Sequence, residues 1–194
     1  MTEINLNPRK VIVIGQTNCG KTCMALRLVH NTFTEGITST IGVSFLKKTF
    51  TVSGNNQIEI NIWDTCGQEQ FKSVVTTYMR GSDCVIVAFD VSNQETFDEM
   101  NYWVTTTREG LGNEVPMVIA ASKVDLPRMV SWEDVDSFCE SIHAPYFKVS
   151  SKENIGIHDL FQHAAELAFN YGNIIIREPP PPQPQINQPQ NTCC

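Results

Sequence analysis

Clustered positive charge, long apolar runs and paired-cysteine motifs are all missing from this sequence. Lysine and arginine number 14 against 21 acidic residues, a formal net charge of −7. A nucleic-acid surface needs grouped Lys and Arg, so no nucleic acid is expected as a partner. The longest purely apolar runs, "VIVI" and "VIVAF", fall far short of the roughly 20 residues that cross a bilayer. The opening stretch "MTEINLNPRK" lacks the apolar centre of a secretory leader. Seven cysteines are present, at 19, 23, 66, 84, 139, 193 and 194, but none forms a CxxC pair. The odd number gives no disulfide framework, which points to a reducing compartment, the cytosol. The five internal cysteines are expected as small buried hydrophobes.

What is present suffices for a real core: 41% of 194 residues are hydrophobic. That length suits one domain with something appended. "RKVIVIG" (9–15), "CVIVAFDV" (84–91), "VPMVIAA" (115–121) and "YFKVS" (146–150) read as buried strands. "SFLKKTFTV" and "QIEINIWD" alternate with period 2 around the turn residues "SGNN", a hairpin signal. Helical patterns fall between the strands. One covers Lys21–His30, and one runs to about Arg108 behind a Ser92/Glu95 capping box. Another is capped by Ser131, and a last carries Ile157, Leu160, Phe161, Ala164 and Ala168 on one face. Near-continuous apolar strands separated by helices imply an α/β, three-layer fold. The expected sheet is mostly parallel and six-stranded, with one antiparallel edge strand and helices on both faces. Residues 1–8 read as a short extension and 9–171 as the folded domain. Residues 172–194 read as a flexible proline-rich tail, because "EPPPPQPQINQPQNTCC" holds six of the ten prolines and almost nothing apolar. Pro181 and Pro184 also fit a PxxP pattern.

"GQTNCGKT" (15–22) matches GxxxxGK[ST] between a strand and a helix, the setting that a phosphate loop requires. Glycine lets the backbone wrap close to phosphate oxygens, and the helix N-terminus adds its dipole. Across Gly15, Thr17, Asn18, Cys19, Gly20, Lys21, Thr22 and Cys23 a nucleoside triphosphate is therefore expected. Lys21 would face the β and γ phosphates, and the Thr22 hydroxyl would ligate Mg²⁺. "WDTCGQEQ" (63–70) ends another strand. Asp64 there suits Mg²⁺ held through water, Gly67 a backbone N–H to the γ-phosphate, and Gln68 the orienting of a water. "SKVD" (122–125) and "SSK" (150–152) follow further buried strands, where ligands bind in such sheets. A carboxylate there can accept from guanine N1 and N2, donors that adenine lacks.

Together these stretches resemble the Ras superfamily of small GTPases over roughly residues 9–171, and within it the Rab family. "TIGVSF" (40–45), "IWDTCGQEQF" and "TTYMRGSD" are similar to the Rab switch I, switch II and following-helix stretches, and "CC" to the Rab prenylation signal. The resemblance implies a P-loop, Ras-like fold that binds GTP/GDP with Mg²⁺ and hydrolyses GTP slowly. It implies that Thr40 ligates Mg²⁺ and senses the γ-phosphate, and that Phe33 packs edge-on against the base. By the same resemblance Asp125 reads guanine and Lys123 lies along the base. Ser150, Ser151 and Lys152 complete the pocket. Gln68 and Lys21 would be the catalytic residues. Ser122 stands where the family has Asn, and is too short to contact base and phosphate loop together. Cys66, Ser44, Ser151 and Met79 are further departures.

Strand alternation carries one more expectation. Ile58, Ile60 and Ile62 share the core face of their strand, which puts Trp63 on the polar side. Phe45 falls beside it in the partner strand. Two large aromatics on a polar face suggest a docking patch. The resemblance adds Tyr78 and makes this an effector surface. It also implies an exchange factor, a GTPase-activating protein, a GDP dissociation inhibitor, and Rab escort protein with geranylgeranyl transferase acting on Cys193 and Cys194. The expected location is the cytoplasmic face of an intracellular membrane, with a cytosolic pool. Two other readings stay open. A P-loop kinase would need an Arg-rich lid and an acceptor site, and neither is visible. A nucleotide-holding scaffold with weak or no hydrolysis is favoured by Ser122.

Overall fold

The computed structural model describes residues 8–36, 42–65 and 72–174, with backbone alone at 72–74 and 174. Its middle layer is a sheet of β1 (Arg9–Ile14), β2 (Val43–Val52), β3 (Asn56–Thr65), β4 (Cys84–Asp90), β5 (Met117–Ser122) and β6 (Tyr146–Lys148). The six strands lie in the order β2-β3-β1-β4-β5-β6. Only the β2–β3 pair is antiparallel; the other four pairs are parallel. The expected sheet and its antiparallel edge strand are therefore present.

Period-2 geometry splits each apolar run between two cores. Val11 and Val13 face one cluster with Cys84, Ile86 and Ala88. Ile12 and Ile14 face the other with Val85, Val87 and Phe89. All four β1 residues from Val11 to Ile14 are fully buried, as a strand covered on both sides must be. The first core is closed by α1 (Lys21–His30) and α6 (Ile157–Ile174), through Met24, Ala25, Leu28, Leu160, Phe161 and Ala164. The second is closed by α2 (Lys72–Met79), α4 (Met100–Leu111) and α5 (Trp132–Ile142).

Two local features differ from expectation. The helix after β4 is not capped by Ser92. Asn93 is the N-cap, its side chain accepting from the Glu95 N–H, while the Ser92 hydroxyl donates to Asp90 at 2.6 Å. The strand-end carboxylate takes the hydroxyl that a capping box would have used. That helix is also broken, into α3 (Gln94–Asp98) and α4, at Glu99. The remaining caps and turns behave locally. Ser131 Oγ accepts from the Asp134 N–H at 3.0 Å, and the β2–β3 turn puts Gly54 and Asn55 at positive φ. α6 continues to Ile174, three residues past Tyr171.

The register sets the carboxyl ends of the parallel strands level. Val13 pairs with Asp64, Ile14 with Val87, and Asp90 with Ser122. Among the described residues, Asp64, Asp90, Ser122 and the loop that follows Ile14 thus lie at one end of the sheet.

Candidate nucleotide-binding site

The loop between β1 and α1 shows why its glycines are there. Gly15 has φ 140°, and a Cβ at that position would run into the Ala88 carbonyl oxygen on β4. Gly20 is the N-cap of α1 with φ 90°, and no side chain caps the helix. The first turn of α1 contains no acidic residue of its own, so its dipole favours an anion at the loop. Asn18 sits at the exposed tip with φ 62°, a left-handed position that Asn tolerates. Thr17 beside it is half-buried.

The Lys21 ammonium is buried beneath this loop. It donates to the Gly15 carbonyl at 2.9 Å and the Gln16 carbonyl at 2.7 Å, and lies 3.7 Å from Cys19 Sγ. Burial raises the pKa of Cys19, only partly offset by Lys21, so the loop thiol is held neutral. Cys23, half-buried in the first turn of α1, is raised for the same reason. Cys84 and Cys139 are buried too, so all four cysteines among the described residues are covered at least in part, and none is in a disulfide. Cys66 lies outside the described residues.

Thr22 Oγ1 donates to Asp64 Oδ2 at 2.7 Å, and Ser44 Oγ approaches the same oxygen at 3.5 Å. Asp64 is fully buried at the end of β3. A hydroxyl and a carboxylate in contact beside a helix N-terminus are the hard oxygen donors that Mg²⁺ takes next to a phosphate. The N-terminus of α1, the Lys21 ammonium and this oxygen pair fit a Mg²⁺–triphosphate.

The base side, whose Ser122 lies 103 positions along the chain from Cys19, is equally organised. Ser122 Oγ donates to the Cys19 carbonyl at 2.5 Å, so the shorter residue still braces the phosphate loop. A serine hydroxyl carries one proton, and here that proton goes to Cys19. Lys123, at φ 60°, pairs its ammonium with Asp90 at 2.7 Å. Asp125 is exposed and accepts from Ser150 Oγ at 2.5 Å. Ser150 is fully buried, Ser151 half-buried and Lys152 exposed. Lys152 Nζ pairs with Glu35 at 3.0 Å, two residues beyond the half-buried Phe33, and that hydrogen bond raises the lysine's pKa.

Three residues of this framework carry no motif: Arg27, Glu35 and Asp90. Arg27 Nε donates to the Ser151 carbonyl at 2.7 Å and its Nη2 to the Lys152 carbonyl at 3.2 Å. In sequence it is a basic residue in the last turn of a helix, which the helix dipole alone would explain. A contact across 124 positions leaves no local signature. Asp90 does have one: an acidic residue closing a wholly apolar strand.

On the neighbouring face, Phe45 and Trp63 are cross-strand partners with ring centroids 5.7 Å apart, edge to face. Tyr78 on α2 lies 6.0 Å from Trp63. Lys10 Nζ sits 4.2 Å over the Trp63 ring. All three aromatics are half-buried, so a continuous aromatic strip is exposed in part. Met79 turns the other way and is fully buried. Thr40, Gly67, Gln68, Cys193 and Cys194 lie outside the described residues.

Comparison with known proteins matches the geometry. The Ras family model covers residues 10–170. The Ras-related protein Rab-7b of Bos taurus is 35% identical over 97% of this chain and 100% of its own length. The Ras-related protein Rab-21 of Mus musculus is 36% identical over 78% of this chain and 69% of its own. The Ras-related protein RabJ of Dictyostelium discoideum is 39% identical over 78% of this chain, although only 60% of RabJ is spanned. With a phosphate loop, a Thr–Asp oxygen pair and a carboxylate-bearing base loop on this sheet, the chain belongs to the Ras family and, within it, to the Rab small GTPases.

Proposed function

We propose that this protein is a GTP/GDP switch that hydrolyses GTP slowly and regulates vesicle traffic from the cytoplasmic face of an intracellular membrane. The observation that carries the reading is the contact of Thr22 with Asp64 at 2.7 Å, directly beside an uncapped helix N-terminus. Bound there, Mg²⁺ would neutralise charge on the β and γ phosphates. The chain's own groups do the rest. Lys21, fixed by two carbonyls, holds positive charge at the floor of the loop. Asp125 accepts from the guanine N1 and N2 donors. Gln68 orients the attacking water, and Thr40 and Gly67 sense the γ-phosphate. The sequence leading up to and including Thr40 is "ITST" (37–40), with no arginine to stabilise the transition state in cis. Intrinsic turnover is then on the order of 10⁻⁴–10⁻³ s⁻¹, and a GTPase-activating protein is required.

An exchange factor, a GDP dissociation inhibitor and effectors on the Phe45–Trp63–Tyr78 strip complete the cycle. Escort protein and geranylgeranyl transferase would lipidate Cys193 and Cys194, with the proline-rich residues as a spacer between the GTPase domain and the membrane. A second reading, a nucleotide-holding scaffold with little hydrolysis, is favoured by Ser122, whose one proton is spent on the loop.

The test is to release and identify the nucleotide carried by the purified protein, then to follow single-turnover GTP hydrolysis with and without an activator. Guanine nucleotide with slow, activatable hydrolysis is expected, nearly abolished in Gln68→Leu. Bound guanine nucleotide with equal rates in wild type and Gln68→Leu would select the scaffold.

A further inference from the structure

Arg27 sits on α1, the helix that begins at the phosphate loop, yet its distant partners among the described residues belong to the base loop. Its own position is fixed. Nη1 donates to the Asn31 carbonyl at 2.9 Å and to Asn31 Oδ1 at 3.2 Å, at the C-cap of the same helix. The other edge of the guanidinium holds the carbonyls of Ser151 and Lys152. Two consecutive carbonyls on one planar fork leave the loop little rotational freedom.

The consequence passes through one peptide. No peptide bond among the described residues is cis, so the Lys152 C=O and the Glu153 N–H point in opposite directions. The carbonyl faces Arg27. The N–H therefore faces away from it, and donates to Ser150 Oγ at 3.0 Å. That occupies an acceptor site of the hydroxyl and directs its proton to Asp125 Oδ1 at 2.5 Å. A continuous chain runs from Arg27 through the 152–153 peptide and Ser150 to Asp125. Each bond in it polarises the next.

We propose that Arg27 is the positioning residue for guanine selection: it orients Asp125 through the Lys152–Glu153 peptide and Ser150, without touching the base. The proposal rests on the reading of Asp125 as the group that pairs with guanine. It also gives this chain a compensation at the pocket where Ser122 replaces a longer amide. With the loop clamped to α1, base side and phosphate side are carried by one rigid element. The Lys152–Glu35 pair ties the same loop to the segment bearing Phe33.

The test compares GDP with inosine diphosphate, which lacks the 2-amino group and so forfeits one of the two contacts to Asp125. Dissociation constants for both are measured by competition on the full-length protein with Mg²⁺, for wild type, Arg27→Ala and Arg27→Lys. In Arg27→Ala the preference for GDP over inosine diphosphate should fall by about three- to tenfold, the worth of one misaligned hydrogen bond. Arg27→Lys should recover part of it, since a lysine reaches one carbonyl but not two. A general loss of structure would weaken both nucleotides equally, and an unchanged ratio in Arg27→Ala overturns the proposal. Ser150→Ala removes the middle of the chain and should lower the ratio alike, with no further fall in the double variant. Additive losses in the double variant would also overturn it. Should the wild type show no preference for GDP, Asp125 is not the guanine reader and both readings fall together. A wild-type preference that survives in Arg27→Ala removes the clamp alone.

Discussion

Thr22 Oγ1 and Asp64 Oδ2 are 2.7 Å apart, although 42 positions separate the two residues in the chain. The contact joins the first turn of α1 to the end of β3, and it leaves the carboxylate buried where a cation would bridge it to phosphate. Thr22→Asn replaces the hydroxyl with a bulkier amide that cannot present the same oxygen to Mg²⁺. GTP affinity should fall by about ten- to a hundredfold, since a hydrogen bond or ligand contact to a charged group is worth about 1.5–3 kcal/mol. GDP, with one phosphate fewer on the cation, should lose less. Titration of both nucleotides with and without a chelator checks this. Equal loss for both would detach Thr22 from the metal.

Ser122 offers a second measurement. Its hydroxyl keeps the brace on the Cys19 carbonyl but has no second proton for the base. Ser122→Asn restores a two-donor amide at the cost of reseating it in a buried position. Regaining one hydrogen bond should slow GDP dissociation by about three- to tenfold. A stopped-flow displacement rate unaltered by the substitution would mean that this pocket has no contact left to regain.

Cys139 predicts a pH dependence. Burial and, secondarily, Asp136 raise its thiol from 9.0 to about 11. A group with a raised folded-state pKa favours the folded state while it stays protonated. Its contribution is complete below about pH 9 and is lost as pH climbs towards 11, because only the unfolded thiol ionises in that window. Between those values the slope is at most about 1.4 kcal/mol per pH unit. Cys139→Ala should be less stable than wild type at pH 8, and the difference should shrink as pH rises above 9. Urea unfolding of both proteins at pH 8, 9 and 10 measures it; a constant difference would contradict the assignment.

Much of this molecule is legible in its sequence, for a physical reason. Strands covered on both faces must be apolar throughout, so β1, β4 and β5 announce themselves. The β2–β3 alternation gives the faces correctly: Ile58, Ile60 and Ile62 are buried, and Phe45 meets Trp63 across the ladder. Signals fail where two local solutions compete. Ser92 has a capping-box partner at Glu95, but Asp90 lies two residues before it and takes the hydroxyl. They fail again where a long side chain bridges distant segments. Arg27 meets Ser151 and Lys152 only because the sheet order brings α1 beside the loop after β6, and no spacing along the chain encodes that. Glycine at 15 and 20 stands between these cases: the motif names the residues, while the Ala88 carbonyl explains the first of them.

The last prediction concerns Cys193 and Cys194, which lie outside the described residues and are argued from composition. Both thiols should carry geranylgeranyl groups in the cell. A metal site would need further ligands close by, and the preceding "PPPPQPQINQPQNT" holds no histidine, cysteine or acidic residue. A disulfide between adjacent cysteines is strained and is disfavoured in a reducing compartment. A single modest lipid chain holds a membrane only marginally and reversibly, so stable attachment takes a second signal. Basic residues near the lipid can supply it at about 1 kcal/mol each. Here no lysine or arginine follows Arg177, so charge cannot serve and a second lipid must. It follows that Cys194→Ser should release most of the protein to the soluble fraction, a larger effect than in a relative with a polybasic tail. The double serine variant should be wholly soluble. Fractionation of cells expressing wild type and both variants, with mass measurement of the peptide bearing the cysteines, decides the matter. Membrane-bound wild type with both thiols unmodified would end the lipid account.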